Sequence, residues 1–395
     1  MSFRRIEDAP SGTTALVRVD FNVPMKDGVV TDDTRLRAAL PTIQALRERY
    51  CQVILVAHFD RPKGQFVSSM SLRPIVEPLS KLTGTPVVFV EECVGEKVWT
   101  AIDGSQRDSV ILLENVRFEP GEESNDPAFA KQLAEHVDIY VNDAFSTAHR
   151  AHASTEGVAH ILPAYAGKQM ERELDALEAA LGNPKRPVMG IVGGSKVSTK
   201  IDLLKNLVTQ LDKLAIGGGM ANTFLFAQGY EVGASYCEKD EAETARAIMK
   251  AAKAAGCELL LPVDTIVSVR MEHGAPVFTR ALGELDADER ILDAGPATVK
   301  RLLAAMDQSA TLIWNGPLGV FEIPPFDAAT VAAAKHAAAL AKAGKLIAVA
   351  GGGDTVAALN HAGVVEDMTF VSTAGGAFLE WMEGKPLPGV EALRG

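Results

Sequence analysis

Short apolar, β-branched runs recur along this chain with helical patterns between them, and that alternation limits its fold more than any other feature. In the first half the runs are Val53–Ala57, Val87–Val90, Val110–Leu113 and Ile139–Val141. In the second they are Val188–Val192, Leu214–Ile216, Leu259–Val263, Leu312–Trp314, Leu346–Ala350 and Thr369–Ser372. Most are apolar at every position and do not alternate, which suits parallel sheets covered on both faces. An α/β fold is expected. The 395 residues exceed the roughly 250–300 over which one core grows, so two domains are expected.

Ile201, Leu204, Leu207, Val208 and Leu211 give one helix an apolar face. Another is predicted from an N-cap at Asp240, with Glu243 three residues on, to Gly256. Met170–Leu181 reads as a charged helix that Gly182, Pro184 and Pro187 bring to an end, so residues 170–186 are the expected connector.

Lys and Arg number 39 against 51 Asp and Glu, a formal charge of −12. A chain this acidic is not expected to bind nucleic acid or anionic membrane in general. Cys51, Cys93, Cys237 and Cys257 form no CxxC pair and are too sparse for a disulfide scaffold, so a reducing, cytoplasmic setting is expected. The first ten residues do not read as a signal peptide. The stretch Ala328–Ala343 is broken by Lys335, His336 and Lys342 and is shorter than the ~20 residues a membrane helix needs, so a soluble protein is expected.

Four second-half strands run straight into small or glycine residues, which include Gly193–Gly194, Gly217–Gly219, Gly351–Gly353 and Gly375–Gly376. Glycine there lets backbone N–H groups approach a phosphate, and a following helix adds its positive end. One such cluster is an ordinary tight turn. Four in one domain point to a nucleotide. Neither GxxxxGK[ST] nor a GxGxxG after the first strand is present, so this is neither a P-loop nor a dinucleotide fingerprint. Lys196 and Lys200, four apart on a starting helix, would both face the phosphates, or would simply be solvated. Asp354 suits Mg²⁺, caps the next helix, or does both.

The first half carries a different chemistry. Arg35, His58, Arg61, Arg117 and Arg150 each lie beside a strand end or turn, and Arg18, Asp20 and Asn22 lead into Pro24. Arginine forks bind phosphate and carboxylate bidentately. Several converging in an acidic protein imply a small, highly anionic substrate. His149 and His152 lack a third metal ligand and read as phosphate or structural contacts.

Taken together, these segments resemble phosphoglycerate kinases over essentially the whole chain. The matching motifs are Arg18–Pro24, the HxxRP of His58–Pro62, Glu114–Phe118, Asn142–Phe145 and Ala148–His152 in the first half. In the second they are Gly193–Val197, Gly217–Ala221, Trp314–Pro317 with Val320–Glu322, and Gly351–Thr355. The resemblance implies two Rossmann-like lobes around a cleft, joined by a helical hinge at 170–186. Residues 1–170, with a returning segment from about 379 to 395, would hold 3-phosphoglycerate or 1,3-bisphosphoglycerate. Residues 187–378 would hold ADP or ATP with Mg²⁺. The implied phosphoglycerate residues are Asp20, Phe21, Asn22, Arg35, His58, Phe59, Asp60, Arg61, Arg117 and Arg150. The implied nucleotide residues are Gly193, Gly194, Lys200, Gly217, Gly218, Gly295, Asn315, Pro317, Glu322, Gly352, Gly353, Asp354 and Thr355, with Asp354 on the metal. A monomer is expected.

The reaction implied is reversible phosphoryl transfer between an acyl phosphate and ADP. The carboxylate acceptor is already ionised at neutral pH, so no general base is needed. Positioning and positive charge carry the catalysis, assigned to Arg35, Lys196, Lys200 and the backbone N–H groups at Gly375 and Gly376. The family's HLGRP reads His58-Phe59-Asp60-Arg61-Pro62 here, its STGGGA has Ala374, and Ser146 stands where Gly is common. The family's glycine at position 60 implies either a backbone that passes close to the substrate or a positive φ, which Asp60 tolerates better than most residues; its carboxylate either weakens the basic cluster or pairs outward with Lys63. Two rival classes are an NAD-linked dehydrogenase, for which the fingerprint is missing, and a non-catalytic nucleotide module, which would have no use for the arginines.

Overall fold

The computed structural model describes residues 3–106 and 108–394. It divides into two compact units: residues up to Asp175 together with those from Pro386 onward, and Ala176–Lys385.

The first unit is built on six parallel strands in the order Val87–Val90, Val110–Leu113, Gln52–Val56, Thr14–Arg18, Ile139–Asn142 and Ala164–Ala166. Every residue of Gln52–Val56 and Val110–Leu113 is buried, as expected of strands covered on both faces. The central strand Thr14–Arg18 and the edge strand Ala164–Ala166 were not anticipated. Thr14–Arg18 ends in a charge, and Ala164–Ala166 is only three residues long. Pairing with neighbours, not local pattern, makes them strands.

The second unit has six parallel strands of its own, in the order Glu258–Leu260, Lys213–Ile216, Val188–Val192, Thr311–Asn315, Ile347–Gly351 and Phe370–Ser372. A separate antiparallel sheet, Phe278–Ala281, Asp264–Ser268 and Arg290–Ala294, is an addition the sequence reading lacked. The run Leu259–Val263 is not one strand. Pairing stops at Leu260, Pro262 follows, and Asp264 opens a strand of the other sheet.

Helix ends follow local chemistry in part. Ala242–Ala255 ends at Gly256 in the left-handed region (φ 76°), where Cys257 N–H closes on Ala252 O at 2.9 Å. Its start is not capped at Asp240, because a short 3₁₀ turn, Lys239–Glu241, precedes it and Glu241 takes the cap position. Ile201–Gln210 buries Leu203, Leu204, Leu207 and Val208. The helix Lys168–Leu177 continues as a wider turn, Glu178–Gly182, and the boundary between units falls within it. The carboxyl-terminal segment joins the first unit at Pro386, later than residue 379. The helix Gly375–Met382 buries Phe378 and Met382, and Asn206 Nδ2 donates to Met382 O at 2.7 Å, which holds it to the second unit.

Candidate functional site

Ligands of open parallel sheets bind beyond the carboxyl ends of strands, at the point where strand order reverses. In the first unit that point lies between Thr14–Arg18 and Ile139–Asn142. The basic residues follow these strands and their neighbours. His58 lies two residues past Gln52–Val56, and Arg117 lies in the turn after Val110–Leu113. Arg35 sits in the first turn of the helix Thr34–Glu48.

Asp20 organises the first loop. Its Oδ1 accepts from Arg35 Nη1 at 2.9 Å and from Asn22 N–H at 3.1 Å, and its Oδ2 accepts from Ser146 Oγ at 2.6 Å. Asn22 Oδ1 accepts the Asp60 N–H at 3.1 Å, and Asp60 O accepts from Arg117 Nη1 at 2.7 Å. Asp60 has φ 54°, the positive value expected where the family carries glycine. Its side chain is exposed, and among the described residues its carboxylate makes no ion pair with Lys63. Asn115 exchanges hydrogen bonds with Phe59 N–H and Phe59 O at 3.1 and 2.7 Å, so it pins the His58–Arg61 loop.

Arg117 is 2% exposed, yet its Nε and Nη2 have no hydrogen-bond partner. Glu123 stands 3.5 Å from Nε. Burial pulls its pKa down to about 10. Buried guanidinium donors left open suit an incoming anion. His58 is held well below the usual imidazole range, first by burial and then by Arg18, Arg117, Arg150 and Arg35. His152 falls to about 4, first by burial and then by Arg117, Arg18, Arg150 and His149. Both rings are therefore neutral at pH 7, and the cationic character comes from guanidiniums. Phe21 is wholly buried core, Phe59 and Arg150 are half-buried, and Arg61 is exposed.

In the second unit the strand order reverses between Val188–Val192 and Thr311–Asn315. The loops that follow touch backbone to backbone. A Cβ on Gly193 would overlap the Pro317 carbonyl, and one on Gly316 (φ 99°) would overlap Gly193. These glycines serve the joint between loops first. The buried Trp314 Nε1–H donates to Gly316 O at 2.7 Å and fixes the same turn from the core side.

Lys200 sits at this joint. Its ammonium donates to Gly193 O and to Asn315 Oδ1, both at 2.6 Å. Burial lowers its pKa to about 8, and Asp354 works against that fall. Lys196 and Lys200 do not share a helical face. The helix starts at Ile201, Lys200 occupies its cap position, and Lys196 is exposed in the loop before it. Asp354 is not a cap either. Gly352 (φ 100°) caps the helix Gly353–Ala362, which leaves the exposed Asp354 carboxylate in its first turn. Thr355 is turned inward: its Oγ1 accepts from Gly316 N–H at 2.7 Å and donates to Gly351 O at 2.8 Å. Asn315 Nδ2 donates to Gly351 O at 2.9 Å. Both side chains tie loops together.

A cavity of about 570 Å³ opens here, lined by Gly194, Gly217–Gly219, Pro317, Glu322 and Asp354, with apolar walls from Leu292, Leu302 and Val320. Gly295 is not in its lining, though Ala294 and Thr298 are. Gly295 packs on the Asp264 carboxylate, which caps Ala297 and Thr298. Gly375 and Gly376 open the helix Gly375–Met382, and Gly375 packs beside Gly352 and Gly353. Two helix N-termini thus lie side by side, a setting for phosphate oxygens.

Four contributors were given no site role from the sequence. Arg18 stands among the basic residues and Asn115 in a matching motif, but their inward direction is invisible there. Glu122 and Ser154, wholly buried beneath the basic residues, carry no local signal.

The family model for phosphoglycerate kinase matches residues 6–385. A phosphoglycerate kinase of Caulobacter vibrioides (strain NA1000 / CB15N) is 68% identical over 394 residues, 100% of each chain to the nearest per cent. One of Rhizobium meliloti (strain 1021) is 58% identical, over 100% of this chain and 99% of the other. The solved phosphoglycerate kinase of Coxiella burnetii superposes with a TM-score of 0.93 at 42% identity, covering 99% of each chain. These likenesses run the full length of both units, and the chain belongs to the phosphoglycerate kinase family, which transfers a phosphoryl group reversibly between 1,3-bisphosphoglycerate and ADP in glycolysis.

Proposed function

We propose that the two substrates are divided between the units, with the phosphoglycerate on the first and the nucleotide in the cavity of the second. The open donors of buried Arg117, with Arg35, His58 and Arg150 around them, support the first half of this reading. The cavity lined by Gly194, Gly217–Gly219 and Asp354, with Lys200 beside Gly194 at its margin, supports the second. Arg61, Asp20 and Asn22 complete the anion site, Asp20 and Asn22 by holding Arg35.

Mg²⁺ arrives with the nucleotide as part of that substrate. The exposed Asp354 carboxylate at the cavity fits a cation that takes one or two carboxylates and fills its shell with phosphate oxygens and water. Bound there, it neutralises charge on the phosphates. Lys200 and Arg35 supply fixed positive charge to the moving phosphoryl group, and the N–H groups at Gly375 and Gly376 donate to its oxygens. Lys196, exposed in its loop, is free to swing onto the same group.

In-line transfer requires the two substrates to meet, so the units close when both are bound, with 170–186 as a hinge. One chain carries both half-sites, which makes a monomer sufficient. Four free thiols suit the cytoplasm. Small-angle scattering with 3-phosphoglycerate, Mg-ADP, or both tests the division and the closure. Compaction with both, larger than with either, is expected at monomer mass. Identical profiles in all states overturn it.

A further inference from the structure

Arg18 Nη2 lies 3.0 Å from His58 Nδ1, and both side chains are buried. Guanidinium nitrogens only donate, so Nδ1 must accept. A proton on Nδ1, in the other neutral tautomer or in the imidazolium, would face the Arg18 N–H directly. The ring is therefore neutral and carries its proton on Nε2.

Arg18 is itself held by a directed chain. Its Nε donates to Ser154 Oγ at 2.8 Å and its Nη1 to Val19 O at 2.6 Å. Ser154 Oγ, already accepting, sends its own proton to Glu122 Oε1 at 2.6 Å, and Ser154 N–H donates to Glu122 Oε2 at 2.9 Å. Both Glu122 oxygens accept, so the chain is complete when the carboxylate is ionised. Glu122 is 0% exposed; burial raises its pKa, and the Arg18 charge and the two Ser154 hydrogen bonds work against that rise and favour the carboxylate.

We propose that Glu122, acting through Ser154 and Arg18, is a positioning residue that fixes His58 as the Nε2–H tautomer and so presents one neutral, directional donor to the phosphoglycerate. This rests on the assignment of His58 to that site. A neutral donor adds direction where four guanidiniums already supply charge, and it spares the cost of a further buried cation.

The test is ¹⁵N NMR of the histidine-labelled full chain at pH 7. Wild type is expected to show His58 with a proton on Nε2 and none on Nδ1. Glu122→Gln keeps the shape but cannot accept on both sides, and Ser154→Ala cuts the chain. Each should give a second, Nδ1–H tautomer at His58. Each should also raise KM for 3-phosphoglycerate about fivefold, roughly the worth of one hydrogen bond, with KM for Mg-ATP and kcat little changed. A proton on Nδ1 in wild type overturns the proposal. So do wild-type spectra and KM in the variants, with Ser154→Ala deciding if Glu122→Gln does not fold. His58→Ala with unaltered KM for 3-phosphoglycerate would overturn the site assignment instead, and the ligand-free spectrum tells the two failures apart.

Discussion

Arg35 Nη1 donates to Asp20 Oδ1 at 2.9 Å and to the Asn22 carbonyl at 3.0 Å, so its guanidinium is oriented before any substrate binds. Preorganised charge is effective in catalysis because little has to move when the transition state forms.

Arg35→Ala should therefore lower kcat by about 10²–10³, near 3–4 kcal/mol of lost transition-state stabilisation, with the fold intact. Circular dichroism and a coupled assay with 3-phosphoglycerate and Mg-ATP check this. An unchanged kcat removes Arg35 from the transferring centre.

Lys200 predicts a pH limit. Its pKa of about 8 in the free protein means that its charge is lost as pH rises through that value. The kcat/KM for nucleotide should fall above about pH 8, while Lys200→Ala should lack this limb and lose about 10²–10³ in kcat. Stability moves the other way. Between pH 8 and the unfolded value of about 10.4 the unfolded chain binds more protons, so this group makes the fold more stable as pH rises.

Asp354→Ala should raise KM for Mg-nucleotide and the magnesium concentration needed for half-maximal rate, and leave KM for 3-phosphoglycerate near its wild-type value. A magnesium titration at fixed nucleotide reads this directly. Normal curves would take Asp354 out of the metal's surroundings.

Asp60 separates backbone from charge. Its left-handed φ of 54° costs a residue with a Cβ roughly 1–2 kcal/mol, and aspartate bears it better than alanine. Asp60→Ala should lower the urea midpoint, and Asp60→Gly should not. The carboxylate is exposed, so KM for 3-phosphoglycerate in Asp60→Gly should stay within about twofold of wild type at low salt. A larger fall would show that Asp60 weakens the basic cluster.

Asp143 is buried, and burial lifts its pKa to about 7 against the hydrogen bonds it receives from Gln169 and Met170. The folded chain then binds more protons than the unfolded one between about pH 4 and 7, so stability falls as pH rises across that window. Asp143→Asn keeps an oxygen for Gln169 and Met170 and should flatten this part of the stability profile. Urea midpoints from pH 4 to 8 measure it, and an unaltered slope assigns the titration elsewhere.

The sequence by itself determined the α/β class, most of the strands, and the order of the motifs that mark the family, because apolar runs and glycine turns are local signals. At Asp60 it left a close backbone approach and a positive φ both open, and the folded chain has φ 54° there. It did not determine which glycines meet ligand and which meet backbone. Gly193 and Gly316 pack on each other's loops, and Thr355 and Asn315 face inward, all through contacts between segments more than a hundred residues apart or from separate strands. Lys196 and Lys200 looked alike on a four-residue spacing, but only Lys200 is gripped by Gly193 and Asn315. Arg18 read as one arginine among several until the tertiary structure buried it against His58, Ser154 and Glu122. Side-chain direction and burial depend on partners distant in the chain, and so only the folded molecule decides them.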